Sequence, residues 1–194
     1  MRIAMISTPF VPVPPIAYGG TELVVAELVQ GLRALGHEVI LYTAGSDDPG
    51  ARCLYRAPVW PPDAYHEMQH VAWALADIAA GTSGREPTDV IHSHCAAALP
   101  LARFVRVPIV YTIHHHRTEP HATIYAMQED VRFVAISARQ RALHDEIADR
   151  CDVIHHGLDA ARYPLGAGGT GALFLGRLSR VKGPHVAIDV ARRA

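Results

Sequence analysis

Short apolar runs punctuate the chain: Ile3-Ala-Met-Ile6, Val39-Ile-Leu-Tyr42, Asp89-Val-Ile91, Ile109-Val-Tyr-Thr-Ile113, Phe133-Val-Ala-Ile136, Asp152-Val-Ile154 and Ala172-Leu-Phe-Leu175. They are continuous rather than alternating, which is the pattern of strands covered on both faces. Helical periodicity fills the intervals. Val24, Leu28, Leu32 and Leu35 share one stripe, with Glu22, Glu27, Gln30 and Arg33 mostly off it, and Gly36 supplies a stop. Met68, Val71, Ala72, Leu75 and Ala79 make a second stripe ended by Gly81. Strand and helix in alternation predict an α/β domain, a Rossmann-like mainly parallel sheet with helices on both faces. Right-handed crossovers then bring every strand C-terminus to one edge.

Two stretches break the rhythm. Thr8 to Gly20 ("TPFVPVPPIAYGG") is a long proline-stiffened loop between the first strand and first helix, and such loops are uncommon unless functional. The Gly-rich stretch at 163–171 reads as a linker between a domain at 1–162 and a segment at 172–194. That segment is expected to hold one strand and one helix, with Pro184 suited to the helix N-terminus. The apolar positions Val186, Ile188 and Val190 run on to Ala194 without a stop, so the second domain is expected to be truncated.

The residues that follow the apolar runs are not random. Ser7, Thr43, His92, His94, His114, Ser137, His155, His156 and Arg177 all stand at C-terminal ends, whereas the N-terminal ends offer mainly Arg2, Asp89 and Asp152. Ligands of open parallel sheets bind outside the strand C-termini, so the histidines of "YTIHHHR" stand on the functional edge. Metal binding is the sharp alternative, since His92 and His94 share a strand face and His114, His115, His116 and His121 add nitrogen. No carboxylate lies at a recognisable ligand spacing beside them, so no metal is expected. Gly19-Gly20 before the first helix allows close backbone approach and aims free N–H groups at an anion. It is not G-x-G-x-x-G, so a standard dinucleotide fingerprint is absent. Gly176-Arg-Leu-Ser-Arg-Val-Lys-Gly183 sets three cations between a strand and a helix, and Arg177 and Lys182 are the two best placed to grip a diphosphate.

Composition narrows the classes. The chain has 194 residues, net charge -1, 49% hydrophobic and 19% charged residues, which gives no electrostatic case for nucleic acid. Cys53, Cys95 and Cys151 are scattered and form no C-x-x-C pair, as expected of free thiols in a reducing, cytoplasmic compartment. Nothing at Met1-Arg2 reads as a secretory signal, and no run approaches the ~20 apolar residues of a membrane span. Peripheral membrane contact through Arg103 and Arg106, beside Leu99, Leu101, Phe104 and Val105, is the most the pattern allows.

Taken in order, these pieces resemble the retaining GT-B glycosyltransferases of family 4. "RIAMISTPFVPVPPIAYGGTELVVAELVQGLRALGHEVILYTAG" is similar to that family's opening strand, Gly-Gly loop, first helix and second strand. "DVIHSH", "VYTIHHH", "FVAIS" and "HHGLDAARYP" fall where it has strand-end motifs, and "LFLGRLSRVKG" resembles the start of its donor-binding domain. The resemblance implies the N-terminal, acceptor-side domain of a GT-B fold plus the start of the nucleotide-sugar-binding domain. It implies transfer of a sugar, hexosyltransferase-like, from a nucleotide-diphosphate sugar to an acceptor hydroxyl, with retention and without an active-site metal or other cofactor. By the same resemblance His114 is the catalytic residue that contacts the donor sugar. Gly19, Gly20, Arg177 and Lys182 bind the donor, and His94 and Ser137 are candidate acceptor or sugar contacts.

The family's paired-glutamate motif and nucleobase pocket are absent, so the chain alone is expected to be inactive without the missing C-terminal domain. "HHGLD" departs from the Pro-Asn-Gly of many relatives, which leaves His156 as a structural residue. Two other readings use the same edge: a non-catalytic nucleotide or sugar-phosphate binding module, and a GT-B-like phosphorylase or epimerase relative. Acceptor choice is expected in the loops at Thr8–Tyr18 and Ala57–Tyr65, where Trp60 and Tyr65 could stack on a sugar.

Overall fold

A computed structural model describes residues 1–81 and 87–193. The chain divides into two units, Met1–Leu158 and Asp159–Ala194. The first is a seven-stranded sheet: β1 (Arg2–Ile6), β2 (Glu38–Thr43), β3 (Ala51–Cys53), β4 (Val90–Ser93), β5 (Ile109–Thr112), β6 (Val131–Ala135) and β7 (Cys151–Val153). Every pairing is parallel, in the order β3-β2-β1-β4-β5-β6-β7. The α/β, Rossmann-like reading therefore holds. Strand order reverses between β1 and β4, and at such a switch point the strand ends open a crevice.

The continuous apolar runs are explained by two cores. Ile3, Met5, Val39 and Leu41 face α1 (Gly20–Ala34), where Val25, Ala26 and Val29 meet them. Ala4, Ile6, Ile40, Tyr42, Ile91, Tyr111 and Phe133 face the other way. There they pack on α2 (Ala64–Ala79) and a 3₁₀ stretch at Ala96–Phe104. Alternate residues of one strand thus serve opposite cores, and both must be apolar. At about 25 cal/mol per Å² of apolar surface removed from water, these two interfaces are the main stabilising term.

The first helical stripe lies about one position from where the periodicity put it, and the second is right only in part. In α1 the buried set is Glu22, Val25, Ala26 and Val29, while Leu28 and Leu32 are only partly covered and Leu35 is exposed. In α2 Val71 and Leu75 are buried as expected, together with His70, Ala74 and Ile78, while Met68, Ala72 and Ala79 are exposed. Large apolar residues on the flank of a helix pulled the prediction toward them. Gly36 ends α1 as expected, at φ 84°: its N–H donates to the Arg33 carbonyl and that of His37 to Leu32, which closes the last turn.

Three further helices follow: α3 (Glu119–Ala126), α4 (Ala138–Arg141) and, in the second unit, α5 (Pro184–Arg193). Pro184 starts α5 as expected. The strand expected at Ala172–Leu175 is not formed, and Leu173 and Leu175 are more than nine-tenths exposed. A strand exists by pairing, and no other described segment of Asp159–Ala194 is a strand. No described helix is long and apolar enough to cross a membrane.

Candidate functional site

The crevice between β1 and β4 is walled by histidines because β4 carries them past its own end. The His94 N–H donates to the Ile6 carbonyl of β1 at 2.9 Å, which fixes His94 at the switch point. His92, two residues earlier, lies on the same face, and its ring stands 4.5 Å from that of His94. β5 delivers the partners. Thr112 Oγ1 shares a 2.8 Å hydrogen bond with His92 Nε2, and His114 Nε2 lies 2.7 Å from His94 Nδ1. His156, beyond β7, stacks on His114 with ring centres 5.5 Å apart and planes at 22°. Four imidazoles from three strand ends therefore form one row.

Burial keeps that row neutral. It pushes His92 down to about 4 and His114 to about 3, with positive charge on His156, His115 and His92 adding to the effect on His114. His94 falls well below its usual range for the same reason, reinforced by its three imidazole neighbours. At neutral pH one ring of the His94–His114 pair donates an N–H to the lone pair of the other. His94 Nε2 is buried and has no partner, so the residue keeps an unspent hydrogen-bonding atom. Among the described residues no group of three or more His, Cys, Asp or Glu is placed to hold a metal ion.

The triple histidine separates into three fates. His114 joins the row, His115 stacks on His121 at 5.2 Å, and His116 is exposed. Gln140, on α4, pins the loop that carries them. Its Oε1 accepts from the Ile136 N–H at 2.8 Å, and its Nε2 donates to the carbonyls of Ile113 and His115. Ser137 Oγ is spent as the cap of α4, accepting from the Gln140 N–H at 3.1 Å.

A cleft of about 360 Å³ opens beside the row, lined by Thr8, Phe10, Asp63, Glu67, His94 and His114 among others. The two loops singled out from sequence both reach it, and the Val59 N–H ties them by donating to the Pro9 carbonyl at 2.9 Å. Asp63 caps α2 by accepting from the Tyr65 and His66 N–H groups, and these bonds with His66 hold its carboxyl below the ordinary range. The Glu67 carboxyl is pushed up by burial, against hydrogen bonds from the Ala97 N–H and the Cys95 thiol. Trp60 and Tyr65 are largely exposed.

Gly19 is packed tightly: a Cβ there would sit 2.7 Å from Pro15 Cβ. Gly20, the first residue of α1, has open space around its Cβ position. The end of α1 already has a carboxyl group of its own, because buried Glu22 sits in its first turn and accepts from Thr8 Oγ1 at 2.7 Å. In the second unit Arg177 and Lys182 are both exposed, Lys182 in a 3₁₀ turn at Arg180–Lys182 that Gly183 (φ 70°) closes before α5. Sequence reasoning did not find Glu22, Asp63, Glu67 or Gln140. Asp63, directly before a helical run, and Gln140, three residues after Ser137, were the two that carried a readable signal.

Comparison with known proteins decides the family. Residues 18–162 match the model of Glycosyltransferase Family 4. The chain belongs to that family. A D-inositol 3-phosphate glycosyltransferase of Frankia alni is 30% identical over 228 residues, 90% of this chain and 56% of the relative. A glycogen synthase of Mycobacterium tuberculosis is 29% identical over 247 residues, 100% of this chain and 58% of the relative. The chain therefore spans somewhat over half the length of these curated relatives. Among solved structures, AviGT4, a glycosyltransferase involved in avilamycin A biosynthesis, shares 25% identity at a TM-score of 0.51. It covers 84% of this chain and 44% of AviGT4. A glycosyltransferase from Rickettsia africae shares the fold, with 18% identity and a TM-score of 0.56 over 82% of this chain and 44% of its own. In this family 4 chain the histidine row lies within the matched region, the cleft draws Thr8 and Phe10 from the loop before it, and Arg177 and Lys182 lie beyond it.

Proposed function

We propose that the chain is the acceptor-side part of a glycosyltransferase that moves a sugar from a nucleotide-diphosphate donor to an acceptor hydroxyl with retention of configuration. The observation that carries this reading is the neutral imidazole row at the switch-point crevice, with His114 held against His94 at 2.7 Å beside an open cleft. A neutral imidazole donates or accepts a hydrogen bond without repelling a sugar hydroxyl, and suits orientation more than charge neutralisation. His114 is assigned to the donor sugar, with His94 as its neighbour on the acceptor side. Gly19 and Gly20 let backbone approach the donor, and Arg177 and Lys182 supply the fixed positive charge that a departing diphosphate requires. No metal or organic cofactor is needed in this scheme. On this reading the chain by itself lacks the full set of donor contacts that transfer requires, and alone it is inactive.

The test is transfer by the protein encoded by the complete reading frame. It is incubated with a panel of nucleotide sugars and hydroxyl acceptors, products are weighed by mass spectrometry, and the new linkage is assigned by NMR. A product whose anomeric configuration matches the donor supports the reading. Phosphorolysis or epimerisation of the sugar, or tight nucleotide binding with no turnover, replaces it with the phosphorylase, epimerase or binding-module reading.

A further inference from the structure

If the histidine row faces the transferred sugar, the neighbouring cleft should reveal the chemistry of the molecule that receives it. Its lining divides sharply by charge. Asp63 and Glu67 contribute two carboxyl groups, His94 and His114 contribute neutral rings, and no lysine or arginine is among its described lining residues. The Asp63 carboxylate is anchored by two backbone N–H groups at 2.9 and 3.0 Å and by the His66 ring, so it cannot swing away from an incoming anion. Glu67 is fastened to Cys95 and Ala97 at the end of β4. A third carboxyl group, that of buried Glu22, accepts from Thr8, another lining residue.

A second observation marks the cleft as built for a ligand and not merely lined by acids. His94 is only 2% exposed, lines the cleft, and has its Nε2 without a partner. A buried nitrogen left unpaired costs free energy that a ligand hydroxyl would recover. Hydroxyls from an uncharged polyol could donate to Asp63 and Glu67 and exchange hydrogen bonds with Thr8 and His94, while Phe10 offers an apolar face. A phosphate would meet two carboxyl groups and, among the described lining residues, no lysine or arginine.

We infer that this cleft takes an uncharged polyhydroxyl acceptor, such as a glycan end or a free cyclitol, and discriminates against its phosphorylated counterpart. The inference rests on the transfer reading for the word acceptor, but the charge preference is a property of the cleft alone.

The experiment is a binding titration on the protein, following the imidazole ¹H–¹⁵N signals of His94 and His114. The probes are maltotriose, myo-inositol and inositol 3-phosphate, without nucleotide sugar. Expected is a shift of both histidines by at least one neutral polyol, and binding of the phosphate weaker by about tenfold or more. The double variant Asp63→Asn, Glu67→Gln keeps the helix cap and the hydrogen-bonding shape, and is expected to bring the phosphate to within about threefold of myo-inositol. Binding of inositol 3-phosphate as tight as that of myo-inositol, or no response of either histidine to either neutral probe, overturns the inference. Because no donor is present, polyol binding with no turnover in the transfer assay would sink the transferase reading and leave the charge preference standing.

Discussion

At the scale of single residues, the proposed chemistry depends on a few side chains and on the neighbours that hold them. Gln140 makes three hydrogen bonds to backbone groups of two loops, one of them the loop of His114 and His115. Gln140→Ala orphans an N–H and two carbonyls, and is expected to lower stability by about 1–3 kcal/mol, read as a shift in the urea midpoint. In the transfer assay proposed above the same change is expected to lower kcat with little change in acceptor KM, because it loosens orientation rather than contact. His94→Ala is expected to lower kcat about tenfold by releasing His114 and to raise the acceptor KM by removing its own contact. An acceptor KM unchanged in both variants, with wild-type kcat, would remove the positioning role. The histidines themselves were legible in the sequence as strand-end residues. Their assembly into a row was not, because it depends on the lateral order β1-β4-β5 and on the conformation of the segment after β7.

At the scale of elements, the first helix and its glycine loop are locked by shape. Gly19→Ala would drive a methyl against Pro15 and Val11, and an overpacked site of this kind costs about 1–3 kcal/mol. Thermal melting of the variant checks it. Helix α2 carries a different liability, His70, fully buried at the ends of β1 and β2. Burial pushes its pKa down to about 4, opposed by the nearby carbonyls of Ser7 and Tyr42. The sign follows directly: below about 6.5 the unfolded chain takes up protons that folded His70 refuses until about 4, so stability falls as pH falls through that window. The loss for His70 alone is on the order of 3 kcal/mol. His70→Phe is expected to flatten the decline of the urea midpoint between about pH 7 and about pH 4; an unaltered slope would contradict it. His70 escaped the periodicity reading because a polar residue inside a stripe looks like a flank. The α1 stripe was misplaced for a related reason, since Leu28, Leu32 and Leu35 weigh more by hydrophobicity than Ala26, yet a small residue is what a close helix–sheet contact accommodates.

At the scale of the whole molecule, six of the seven strands stand where continuous apolar runs put them. The seventh, β3, escaped because three edge residues, Ala51-Arg-Cys53, carry no run at all. The expected strand at Ala172–Leu175 failed in the opposite sense: its local pattern is sound, but pattern alone does not pair. The sheet and both hydrophobic cores lie inside Met1–Leu158, while no described residue of Asp159–Ala194 is buried. A chain ending at Leu158 is therefore expected to unfold in one cooperative transition, with a urea midpoint close to that of the 194-residue chain. A large drop in the midpoint would show that the second unit contributes stability. The central claim, that the imidazole row at the β1–β4 crevice is where sugar transfer takes place, is tested most directly by turnover of the complete enzyme carrying His114→Ala. With circular dichroism and melting temperature unchanged, the account predicts a fall in kcat of about a hundredfold or more. Wild-type turnover from a correctly folded His114→Ala enzyme would contradict it.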